Sequence, residues 1–239
     1  SEDTIAKGKE NYGLRQKGKV ATLALGYQGG VPALQNMRKT YGIPELELPD
    51  AELPDIKNRW RTANPHIVQF WYDVESTATN AVCYGMEGTV RGVTFALDGD
   101  QKTGLCFLTI TLPSGRKLFY ANPGLAPNKW GKTGITYWGV SQDKEKKSKK
   151  WQLLETYGGK LAENITQAVA RDCLFQAMEA LEAEGYPIVF DVHDEVVIEV
   201  PADKADLDRV VEIMSRPIPW APDLPLDADG WVGEYFKKD

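Results

Sequence analysis

The stretch IVFDVHDEVVIEV, residues Ile188–Val200, decides how the chain is read. Two β-branched runs, Ile188–Val192 and Val196–Val200, flank His193-Asp194-Glu195. The pattern predicts a hairpin with both acids at its exposed tip. Acids at a tip are ordinary solvated-turn residues. Yet the turn lacks the Asn-Gly or Gly pair that tight hairpins favour, and a His beside two acids is an unusual choice for solubility alone. Carboxylates held on rigid strands are also what Mg²⁺ takes, since it accepts one or two of them and fills its shell with water and phosphate. Two-metal phosphoryl transfer places its ions about 3.5–4 Å apart and needs a carboxylate between them. One tip does not supply all of that.

Working outward, a helix is expected over Lys160–Glu184, ended by Gly185 and Pro187, and another over Ala205–Met214. The tail closes on an aromatic, strand-like piece, Trp231–Phe236. Towards the N-terminus, Leu14–Gln28 reads as a helix stopped by Gly29-Gly30, followed by a helix over Pro32–Tyr41 and a proline-rich connector over Glu45–Pro54. Asp55–Thr62 is helical. Asn64 and Pro65 open a further helix running to Tyr84, with Ile67, Phe70, Trp71, Val74 and Thr77 near one face. Between these groups Val93–Leu97, Cys106–Thr111 and Gly134–Val140 read as strands, with Ser114-Gly115 as a hairpin turn. Helices, then strands, then helix–strand–strand–helix make the expected class α+β, in segments 1–90, 91–150 and 151–239.

The chain of 239 residues is 42% hydrophobic and 26% charged, which excludes a disordered tail. A net charge of −6 argues against general phosphate binding, but charge is uneven. Lys144-Glu145-Lys146-Lys147-Ser148-Lys149-Lys150 is strongly basic, and Lys7–Lys19 holds five basic residues against one Glu. Such a run is as often a solvated connector as a phosphate contact. Three scattered cysteines, Cys83, Cys106 and Cys173, form no disulfide framework, and with His66 and His193 the only histidines a His/Cys metal site is not expected.

A second segment, LRQKGKVATLALGYQGG (Leu14–Gly30), carries Arg15, Lys19, Leu23 and Tyr27 at intervals of four. On a helix they share a face, opposite Val20, Ala21, Ala24 and Leu25. Two cations, an apolar step and an amphipathic ring suit a nucleoside triphosphate. They also describe a solvated surface helix.

Taken together, the segments resemble family A (DNA polymerase I-like) DNA polymerases, and the wording GKVATLALGYQGG, LPSGRKLFY and PLDADGW resembles the bacteriophage and prophage branch. That family's fingers helix carries Arg-x-x-x-Lys, then Phe or its substitute, then Tyr, each at spacing four, as at Arg15, Lys19, Leu23 and Tyr27, and its palm hairpin reads Val-His-Asp-Glu, as at Val192–Glu195. A palm helix with Asn, Gln and Asp is matched by Asn164, Gln167 and Asp172, with the Asn–Gln interval one shorter than in the common bacterial pattern. The resemblance implies helical fingers over 1–90, a β-rich insert and basic connector over 91–150, and the C-terminal part of a right-hand palm over 151–239. It implies that Arg15 and Lys19 hold the dNTP phosphates, with Lys19 a proton donor to the leaving pyrophosphate. Leu23 would lie under the sugar, where the family has Phe or Tyr, and Tyr27 would stack at the template–primer end. Asp194 is implied as the Mg²⁺ ligand, with Glu195 assisting. His193, Gln167, Asn164 and Lys160 would meet primer–template DNA, Gln167 in the minor groove, where acceptors recur in every base pair. The other metal carboxylate belongs to an upstream palm strand. Before Leu14 the only Asp is Asp3, in Asp3-Thr4-Ile5-Ala6, which does not match. The expectation is that an N-terminal polymerase segment or partner chain supplies it and the thumb, in the cytoplasm of a bacterial host. A non-catalytic nucleic-acid-binding or assembly module and a single-subunit RNA polymerase are the other functions that this reading leaves open, the latter matching Val192–Glu195 less well.

Overall fold

A computed structural model describes residues 4, 8–45, 47–100, 102–128, 131, 133–141 and 149–237. Asp3, Lys7 and the Lys144–Ser148 part of the basic run lie outside the described residues. The chain divides into two compact units, one of residues 1–110 with 117–164 and the other of 111–116 with 165–239.

The first unit opens with helices α1 (Tyr12–Leu25), α2 (Val31–Thr40), α3 (Leu53–Ala63) and α4 (Pro65–Tyr84). α1 buries Val20, Ala24 and Leu25, the face expected to pack, against Leu34 of α2, Leu48 and Leu53. Burying a Leu of this kind stabilises by about 1.5–3 kcal/mol. The helix ends three residues earlier than its spacing suggests. Gly26 caps it, its N–H bonded to the Thr22 carbonyl, so Tyr27 stands outside the helix. Asn64 sits at the expected position before α4, but its Nδ2 donates back to the Trp60 carbonyl at 2.8 Å, closing α3 instead of capping α4. α4 buries Trp71, Val74, Ala78, Ala81 and Val82, while Ile67 stays exposed.

A six-stranded sheet follows, with strands in chain order: β1 (Gly88–Val90), β2 (Val93–Asp100), β3 (Leu105–Thr111), β4 (Lys117–Pro127), β5 (Thr133–Val140) and β6 (Trp151–Thr156). Its inner face, with Val93, Phe95, Cys106, Leu108, Ile110, Tyr120 and Ile135, is buried. α4 packs on β1, β2, β4 and β5. β6 was not expected from the sequence, and it clusters with the first unit.

Helix α5 (Gly158–Ala183) contains the boundary between the units. In the second unit β7 (Ile188–Val192) pairs antiparallel with β8 (Glu195–Ile198) as a separate two-stranded sheet, and α6 (Leu207–Met214) follows. Glu184, near the end of α5, binds Arg209 and Arg216 around α6, which hold its carboxyl below the usual range, Arg216 most strongly. Trp231–Phe236 is not a strand: it makes no ladder, and Phe236 instead meets Phe190 edge-on at 5.2 Å. Gly233 interrupts that segment and Gly230 precedes it, which removes side chains that favour a strand.

Candidate active site

The expected site residues fall into two sets, Arg15, Lys19, Leu23, Tyr27, Lys160 and Asn164 in the first unit, and Gln167, His193, Asp194 and Glu195 in the second.

In the first set Arg15, Lys19 and Leu23 are exposed along α1. The Lys19 ammonium stands 5.1 Å from the centre of the Tyr41 ring, a cation–π contact that orients it. Tyr27 lies in the turn after α1, and that turn is braced from three sides. Trp71 Nε1 donates to the Gly26 carbonyl at 2.8 Å, and the Arg61 guanidinium donates to the Gly29 carbonyl at 3.0 Å. Gln28, at φ +67, accepts the Gly159 N–H on its side-chain oxygen at 2.9 Å. Gly158 and Gly159 make this approach possible. A Cβ at Gly159 would stand 2.4 Å from the Tyr27 carbonyl oxygen, and one at Gly158 2.1 Å from that of Trp71. Burial, and then the Glu163 carboxylate, push the Tyr27 phenol up, so it remains a protonated donor at neutral pH.

On α5, Lys160 is exposed, whereas Asn164 donates through Nδ2 to the Tyr120 hydroxyl at 2.8 Å. Burial pushes Tyr120 up to about 12, against the lowering effect of that hydrogen bond. One side of the Asn164 amide is thus engaged within the fold. Sequence reasoning missed Gln28, Arg61 and Trp71, which hold the Tyr27 turn, and Glu163, whose charge acts on the Tyr27 phenol. The paired glycines Gly158-Gly159 were the one signal that a backbone approaches closely there.

In the second unit Gln167 is exposed on α5. Asp172, five residues on, is buried and spent on the hairpin turn between β3 and β4. Ser114 Oγ donates to its Oδ2 at 2.5 Å, and Arg116 Nε donates to its Oδ1 at 2.6 Å. The β7–β8 turn is a two-residue loop, His193-Asp194, closed by the Val192–Glu195 pair. His193 sits at φ +59, a region that costs a non-glycine residue of order 1 kcal/mol or more. His193, Asp194 and Glu195 are all exposed, and no cation pairs with either acid among the described residues. Asp191 differs: Arg171 binds it and holds its carboxyl below the usual range.

No group of three His, Cys, Asp or Glu that could hold a metal occurs among the described residues. Two neighbouring free carboxylates on a short turn still fit the way Mg²⁺ is usually held, by one or two protein carboxylates with substrate phosphate and water.

The chain is similar to a phage DNA polymerase. It is 48% identical over 239 residues, 99% of its length, to the DNA polymerase of Bacillus phage SP02. It spans 34% of that protein. No family model matches the chain, and no solved structure does.

Proposed function

We propose that this chain is the C-terminal fingers-and-palm part of a family A, template-directed DNA polymerase that adds dNTPs to a primer 3′-hydroxyl. The observation that carries the reading is the 48% identity running through 99% of the chain, from the Arg15–Tyr27 segment to the His193–Glu195 turn, to a protein named DNA polymerase.

The two sets of residues divide the work. Arg15 and Lys19 bind the triphosphate, and Lys19 Nζ gives a proton to the departing pyrophosphate oxygen. Leu23 offers the sugar an apolar surface, and the braced Tyr27 ring stacks beneath the nascent base pair. Lys160, Asn164, Gln167 and His193 meet the primer–template backbone and minor groove. Asp194, with Glu195 beside it, would hold Mg²⁺, which supplies charge neutralisation at the transferring phosphate. An upstream segment or partner chain provides the other metal carboxylate and the thumb, so this chain alone is an incomplete enzyme in a phage-infected or lysogenic bacterial cell.

A primer-extension assay with Mg²⁺ and dNTPs tests the reading. It is run on the chain alone and with the portion of the phage SP02 polymerase that the chain does not match. Extension by the mixture only, lost in Asp194→Ala, is expected. The other reading is a non-catalytic nucleic-acid-binding module of the same fold. It becomes the better account when DNA is bound and neither sample extends the primer.

A further inference from the structure

The outer face of the six-stranded sheet buries Thr109 and Thr136 but carries exposed aromatic side chains on β4, β5 and β6. Side chains alternate across a strand, and the inner set is packed on α4 and buried. The outer set begins with Phe107 on β3, whose ring meets Phe119 of β4 edge-on at 5.9 Å. Phe119 and Ala121 share that face of β4, and Ala121 pairs directly with Trp138 of β5. Trp138 pairs in turn with Leu153 of β6, and the next outward position, Val140, pairs with Trp151. The register therefore lays Phe107, Phe119, Trp138, Trp151 and Leu153 across four adjacent strands. They are not core residues: Phe119 is 60%, Trp151 61%, Leu153 53% and Trp138 41% exposed. An open aromatic face of this kind marks an interaction surface.

Charge says what kind of partner fits. Residues 117–156, strands β4 to β6 with their connections, hold eight lysines against Asp143, Glu145 and Glu155, a formal +5 inside a chain of −6. Lys149 and Lys150 are exposed and directly precede Trp151, whereas Lys117, two residues before Phe119, pairs with Asp98 at 3.7 Å. An apolar protein partner does not call for that excess of lysine. Aromatic rings that accept base stacking, beside lysines such as Lys149 and Lys150 that accept phosphate, are the common features of sequence-tolerant single-strand binding. A sheet face bearing such rings is one way to present them.

We infer that the outer face of β3–β6 is a stacking platform for single-stranded nucleic acid, with Phe119, Trp138 and Trp151 carrying the bases and Lys149 and Lys150 the phosphates. It is separate from the Arg15–Tyr27 segment and does not depend on the polymerase reading. A single-stranded stretch of template is the chemistry it would hold if that reading stands.

The test is titration of this chain with oligo-dT, followed by tryptophan fluorescence and by anisotropy of a labelled strand, with a blunt duplex of equal length as comparison. Oligo-dT is expected to quench tryptophan emission and to bind more tightly than duplex. Trp151→Ala and Phe119→Ala should each weaken oligo-dT binding about 5- to 100-fold, the range for one stacking side chain. Lys149→Glu with Lys150→Glu should flatten the salt dependence. Because Trp138→Ala can disturb the sheet, Trp138→Leu is used there, and thermal melts verify that every variant is folded. Unquenched emission, or equal affinity in folded Trp151→Ala and Phe119→Ala, overturns the inference. So does loss, in the same variants, of binding to the unmatched portion of the SP02 polymerase when oligo-dT does not bind, which would make the face a protein interface. Primer extension is not a readout, so failure here and failure of the polymerase reading are distinguishable.

Discussion

The turn after α1 and the turn between β7 and β8 each carry residues expected at the site, and they are built in opposite ways. Around Tyr27 the backbone carbonyls of Gly26 and Gly29 accept side-chain donors from α4 and α3, and Gln28 is tied to Gly159 across 131 positions of sequence. Around Asp194 the acids are exposed and, among the described residues, without an ion-pair partner, and the residue before them is held in a strained conformation. The first turn positions a ring and has little room to move. The second leaves its carboxylates exposed, at the expense of local stability, which suits a group whose partner is a cation.

Breaking the two turns should therefore produce different signatures. The largest effect is expected from Asp194→Ala, which removes the proposed metal ligand. Primer extension in the completed system should fall by about 100- to 1,000-fold or be lost, with a melting temperature no lower than that of the parent chain. A large drop in stability with extension preserved would reverse the roles assigned to the two turns.

Gly159→Ala comes next. Its Cβ would stand 2.4 Å from the Tyr27 carbonyl oxygen and 2.5 Å from Gln28 Cβ, so the turn must shift. A loss of about 1–3 kcal/mol in urea unfolding, together with weaker dNTP binding, is expected; an unchanged midpoint would show that the brace is slack. Alkaline unfolding probes the same unit. Tyr120 titrates at about 12 when folded and near 10 when unfolded. Its contribution is fully present below pH 10 and is lost as pH rises from 10 towards 12, by roughly 2–3 kcal/mol in all. Tyr120→Phe should flatten that part of the stability profile, measured by denaturant titration at successive pH values. The smallest effect concerns the open turn. His193→Gly relieves the positive φ and should raise stability by about 0.5–1 kcal/mol, while slowing extension. Faster extension in that variant would mean that the strain serves no function.

Legibility in the sequence differs between the same two regions. The β7–β8 hairpin is local, so alternation over Ile188–Val200 was enough to place it. Gly185 with Pro187 ended α5 within a residue, as local signals can. The α1 turn was misplaced for a local reason as well: the interval of four carried the helix on to Tyr27, although Gly26 already stops it. Its bracing was not readable at all, since no pattern links Gln28 to Gly159 or Gly29 to Arg61. β6 was hidden because Trp151-Gln152-Leu153-Leu154 follows a lysine run that reads as connector, and only pairing with β5 makes it a strand. The roles of Asp194 and Lys19 came from resemblance. Geometry adds that Lys19 is oriented by Tyr41 and that Asp194 is free.

The measurement closest to the central claim is Mg²⁺-dependent primer extension by this chain combined with the portion of the phage SP02 polymerase that it does not match. The account predicts extension by the mixture, none by either part alone, and none when Asp194→Ala replaces the parent chain. Undiminished extension with Asp194→Ala would contradict it, because the β7–β8 turn would then not be part of the active site.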